Sequence, residues 1–197
     1  MKTAWFFGDS FIYGAGCRDK TTEKNKLMSQ IVSEELNCIE KNLAGYGYSN
    51  QNIIASIINN LPKIKKGDYV IIFDTFSVRS HFVDETKDYY LEWPENTYFK
   101  VKPDKLKAHY SMVLKHTENL LYYYQNIYNN LVEHLNSIGI ISRYFPSENT
   151  RWKIEKIIRK IEINPHDDGG HWSFKGHKTV SEWVLSSISN QEIRSII

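Results

Sequence analysis

Apolar residues in this chain follow two different periods. Short continuous runs occur at 3–7 (TAWFF) and 69–73 (YVIIF), and each predicts a buried strand, while IISRYF at 140–145, after Gly139, also reads as a strand. YVIIF is the most strand-like, a β-branched run of the kind that suits a central parallel strand covered on both faces. CIEKNLA at 38–44 reads as a second strand, and IEI at 161–163 as a short last one. Between the runs the spacing turns helical. Leu27, Met28, Ile31, Val32 and Leu36 predict a helix within 23–36. Ile53, Ile54, Ile57, Ile58 and Leu61 predict another over 50–61, ended by Pro62. Asp104 fits the N-cap of a long helix over 105–137, and FKGHKTVSEWVLSSI (174–188) reads as a final one. RWKIEKIIRK (151–160) predicts a basic amphipathic helix with a solvated face. Strands and helices alternate five times, so the order predicts a parallel sheet with helices on both faces.

Residues 78–104 break this rhythm. They are polar and aromatic without a clear period, and read as an insertion with a short hairpin around 93–96.

Composition narrows the classes. A chain of 197 residues fits one domain, with 41% hydrophobic and 24% charged residues. The net charge of +2 is small and the lysines are dispersed, which argues against a nucleic-acid-binding stripe. No apolar run is long enough to span a membrane, and the first residues lack the pattern of a signal peptide, so a cytoplasmic location is expected. Cys17 and Cys38 make a poor disulfide framework and read as free thiols.

Ligands of open parallel sheets bind at the carboxyl ends of the strands. Four polar clusters fall there: Gly8-Asp9-Ser10, residues 42–50, residues 74–77 and residues 167–171. Ser10 could be a turn or N-cap hydroxyl, or a nucleophile. His166, Asp167, Asp168, His171 and His177 also carry the ligand types of a zinc site, while His177 alone suits a capping or packing role.

GDS after the first strand, a glycine in the loop after the second and D-x-x-H near the C-terminus, followed by Gly-His, together resemble the SGNH branch of the GDSL-type serine hydrolases. The resemblance runs from Gly8 to His171. It implies a three-layer α/β/α sandwich with a parallel, about five-stranded, flavodoxin-like sheet, spanning 1–197 as a single domain. It implies that Ser10 is the nucleophile, His171 its base and Asp168 the carboxylate that orients the imidazole, with Asp167 the nearby competitor. It also implies an oxyanion hole made from the Ser10 N–H, the N–H of Gly47 or alternatively Gly45, and an asparagine after the third strand. Here the chain departs from the pattern, since Ser77 stands where the asparagine should be. Ser77, Thr75 or Arg79 would have to substitute.

The expected activity is ester hydrolysis through an acyl-serine, on a short acyl group of a carbohydrate or similar small ester, without a cofactor. Tyr89, Tyr90, Trp93, Tyr98 and Phe99 of the insertion could stack on sugar rings or pack back on the domain. Because a missing oxyanion donor costs on the order of a hundred- to a thousand-fold in rate, a catalytically weak module that binds a glycan or acylated ligand is the alternative.

Overall fold

A computed structural model describes residues 1–75, two strands at 80–84 and 87–91, residues 117–146 and residues 171–194. Ser77, Arg79, His166, Asp167 and Asp168 lie outside the described residues. So do Trp93, Tyr98, Phe99 and the expected elements at 151–160 and 161–163.

Among the described residues the main sheet has four strands, all parallel. These are β1 (Thr3–Phe7), β2 (Ile39–Asn42), β3 (Tyr69–Phe73) and β6 (Ile141–Phe145), in the order β2-β1-β3-β6. β1 and β3 sit in the centre, in the register Ala4 to Tyr69 through Phe7 to Ile72. Their side chains alternate between two cores. Ala4, Phe6, Tyr69 and Ile71 face one. Trp5, Phe7, Val70 and Ile72 face the other. Burial on both sides is why these strands read as unbroken apolar runs.

The first core is closed by α1 (Ser10–Tyr13), α2 (Met28–Glu35) and α5 (Phe174–Arg194), through Ile12, Met28, Val32, Val180, Val184 and Ile188. The second is closed by α3 (Asn50–Asn60) and α4 (Thr117–Ser137), through Ile53, Ile57, Tyr124, Tyr128 and Leu135. Helices therefore cover both faces of the sheet.

Two boundaries differ from the sequence pattern. The helix expected within 23–36 starts only at Met28, because Thr22 and Asn25 close a turn on each other before it. Leu27, at its N-cap, has no side-chain acceptor to offer. The Gln30 side chain accepts from the Leu27 N–H at 2.9 Å, and His177 Nδ1, from α5, accepts from the Met28 N–H at 3.3 Å. β2 stops at Asn42, whose Oδ1 accepts from the Ala44 N–H at 3.1 Å and turns the chain out of the sheet. The insertion holds an antiparallel pair, β4 (Ser80–Asp84) with β5 (Lys87–Leu91), and 93–96, where a hairpin was expected, lies outside the described residues.

The strand order reverses at β1 and β3: β2 lies outside one of them, β6 outside the other. The crevice at such a reversal, beyond the carboxyl ends of the two central strands, is where the topology opens a ligand site.

Candidate active site

The chain leaves β1 at Phe7 and enters α1 at Ser10, with two residues between. Gly8 is required by space: a Cβ there would lie 2.5 Å from Ile12 Cγ1 and 3.4 Å from Phe73 Cβ. Asp9 is the N-cap, in extended conformation, and its Oδ1 accepts from the Phe11 N–H at 3.1 Å. The N-cap role is thus filled by Asp9, and Ser10 becomes the first helical residue. Its hydroxyl is left for another task, and its N–H has no intrahelical acceptor. Gly14 ends the helical turn at φ 84°, in the left-handed region. Asn42 holds that end from below, with Nδ2 donating to the Ile12 carbonyl at 2.8 Å.

His171 precedes α5, and its Nε2 lies 2.8 Å from Ser10 Oγ. With the ring neutral and its proton on Nδ1, the Ser10 hydroxyl donates into the Nε2 lone pair. Ser10 is only 2% exposed, while His171 is half-buried. Phe11 packs against the imidazole at 4.8 Å between ring centroids, and Tyr46 stands 6.0 Å away on the second loop. Trp172 anchors the chain beside His171. It is buried against Phe11 and Phe73, and its carbonyl accepts from Cys17 Sγ at 3.5 Å. Cys17 and Cys38 are both free thiols, and burial pushes the Cys38 thiol up.

The second loop brings both candidate glycines to the same edge. Gly45 donates its N–H to the Gly8 carbonyl at 3.2 Å, and the Tyr48 ring covers its α-carbon. Gly47 has φ 71°, a conformation that favours glycine, and its N–H has no partner among the described residues.

Thr75, one of the three candidates to replace the asparagine, turns inward. It is fully buried, its hydroxyl donates to Asp9 Oδ2 at 2.8 Å, and its N–H donates to Asn50 Oδ1 at 3.2 Å. Both of its donors are occupied in holding the loops together. Next to it, buried Asp74 accepts from the Tyr144 hydroxyl of β6 at 2.5 Å. His177 lies behind the site with Nδ1 on Met28, and among the described residues no three His, Cys, Asp or Glu side chains gather as metal ligands.

Asp9 and Asn50 lie within the polar clusters of the sequence but carried no assigned role there, and Tyr128 carried none at all. Asp9 sat in plain view beside Ser10. Asn50 and Tyr128 carried no signal, because their meaning depends on partners far away in the chain. No protein-family model matches the chain, and no curated protein matches it.

Proposed function

We propose that the chain is a serine ester hydrolase of the SGNH kind, with 161–163 supplying a fifth strand of its sheet. The observation that carries this reading is the 2.8 Å hydrogen bond between Ser10 and His171, residues 161 positions apart. A serine kept only to start the helix would cap it, and Asp9 already fills that role. A nucleophilic serine needs such a partner, because its hydroxyl is a poor nucleophile until a base takes the proton.

Ser10 Oγ attacks the ester carbonyl as its proton passes to His171 Nε2. The oxyanion that forms accepts hydrogen bonds from the Ser10 and Gly47 N–H groups. Gly47 is favoured over Gly45 because the Gly45 N–H already bonds the Gly8 carbonyl. Thr75 is occupied in the same way, so a third donor falls to Ser77 or Arg79. The imidazolium then protonates the leaving alkoxide, and water, activated by the same imidazole, releases the acyl group from Ser10. Asp168 is the carboxylate proposed to orient the ring.

A short acyl group on a carbohydrate is the proposed substrate class. Tyr46 supports it, being 64% exposed beside His171 and so open to a sugar face. The reading is tested by turnover of p-nitrophenyl acetate against longer-chain esters, with Ser10→Ala and His171→Ala as controls. Loss of turnover in both variants is expected. Unchanged turnover in Ser10→Ala contradicts the assignment.

A further inference from the structure

Behind Ser10 a line of hydrogen bonds runs from the far helical layer to the nucleophile's own turn. It starts at Tyr128 on α4, fully buried, whose hydroxyl donates to Asn50 Oδ1 at 3.0 Å. Asn50 is the first residue of α3, placed by the cap at Ser49, whose side chain accepts from the Asn52 N–H. The Asn50 amide then grips the backbone of Thr75 at two points. Its Nδ2 donates to the Thr75 carbonyl at 3.0 Å, and its Oδ1 accepts from the Thr75 N–H at 3.2 Å. Thr75 in turn donates its hydroxyl to Asp9 Oδ2 at 2.8 Å. Asp9 closes the line by accepting from the Phe11 N–H on its other oxygen. Asp9, Asn50, Thr75 and Tyr128 are all buried.

Every side chain in this line has one role that fits its neighbour. The tyrosine hydroxyl gives to the amide oxygen. The amide nitrogen gives to a carbonyl. The threonine hydroxyl gives to a carboxylate, the stronger kind of hydrogen bond, because the acceptor is charged. Asp9 cannot rotate without breaking either the Thr75 bond or the Phe11 cap, and Asp9 is covalently next to Ser10. A residue held on both carboxylate oxygens fixes the direction of the peptide that follows it. That peptide carries the Ser10 N–H, and the following Cα carries the Ser10 hydroxyl.

Resting on the proposed nucleophilic role of Ser10, we infer that Thr75, Asn50 and Tyr128 are positioning residues for the nucleophile turn, acting on Ser10 through Asp9. The tie joins the loops after β1 and β3 and the start of α3. Small displacements of a reacting group are costly in rate. The Thr75 hydroxyl is therefore expected to matter to the reaction in a molecule that remains folded.

The experiment measures the rate of labelling by a fluorophosphonate across pH, by intact mass, on full-length wild type, Thr75→Val, Thr75→Ser and Tyr128→Phe, each shown folded by near-ultraviolet circular dichroism. Thr75→Val is expected to lower the plateau rate constant at least tenfold, with the pH midpoint of labelling unchanged. Thr75→Ser, which keeps the hydroxyl, restores most of that loss. Tyr128→Phe, at the far end of the line, lowers the plateau by a smaller factor. A purely structural role would leave the plateau of the folded molecules where it was. Folded Thr75→Val labelled at the wild-type rate overturns the inference while the nucleophile stands, and so does a Thr75→Ser variant as slow as Thr75→Val. If Thr75→Val does not fold, Tyr128→Phe decides: an unchanged plateau overturns the inference. A wild type that takes no label removes the nucleophile itself, and the inference falls with it.

Discussion

The Gly45 N–H donates to the Gly8 carbonyl at 3.2 Å, joining the loop after β2 to the turn that carries Ser10. The bond holds the loop that carries Gly47 against the turn that carries Ser10, since only Tyr46 lies between the two glycines. A Cβ on Gly45 would fall 2.2 Å from Tyr48 Cε1, well inside contact distance. Gly45→Ala must therefore push the Tyr48 ring or the loop aside. Steady-state ester hydrolysis by this variant should fall by about tenfold or more, through a displaced Gly47 N–H. Unchanged kcat would place the oxyanion donors elsewhere.

Tyr46 itself projects into solvent next to Ser10 and His171. An aromatic contact of this kind is worth about 0.5–1.5 kcal/mol. Tyr46→Ala should raise KM about two- to tenfold for acetylated sugars, with a smaller effect on kcat. Equal KM values for the two proteins would remove Tyr46 from the substrate site.

Tyr128 gives the fold a dependence on alkaline pH. Burial pushes its phenol well above the ordinary value, and the nearby Asp74, Tyr124 and Asp9 push the same way. An unfolded chain loses that phenolic proton near pH ~10, and the folded chain keeps it. The unfolded state then binds fewer protons, so stability is full below about pH 10 and falls as pH rises beyond it. Tyr124, also raised by burial, adds in the same direction. Thermal melts between pH 8 and about pH 11 should show Tm declining less steeply in Tyr128→Phe than in wild type. Parallel declines would contradict the account.

His177 closes the start of α2 from a helix about 150 residues away in the chain, with Nδ1 on the Met28 N–H. Replacing it with phenylalanine keeps a ring against Trp172 but leaves that buried donor without its acceptor. The cost should be about 1–3 kcal/mol, read from urea unfolding. A variant as stable as wild type would show that α2 does not depend on this cap.

Much of the fold could be read from the chain because its central strands are buried on both sides. TAWFF and YVIIF coincide with β1 and β3 residue for residue. β2 was harder, being an edge strand of polar residues, IEKN, that ends where the Asn42 side chain captures the next turn. The pairing of β4 with β5 had no clear period to announce it, because its residues are polar and aromatic without regular alternation. At the site, Ser10 and His171 were visible from their order along the sequence, and they do meet. Thr75, one of three candidates for the third donor, has partners that the sequence could not show. Its hydroxyl finds Asp9, 66 residues away, and its backbone finds Asn50, 25 residues away, and neither pairing leaves a local trace.

The central claim is that the Ser10 hydroxyl is activated by His171. It is tested most directly by intact-protein mass after exposure to a broad fluorophosphonate, for wild type, Ser10→Ala and His171→Ala. One adduct on wild type, absent from both variants, is the predicted result. An unlabelled wild type, or an adduct that persists in Ser10→Ala, would contradict it.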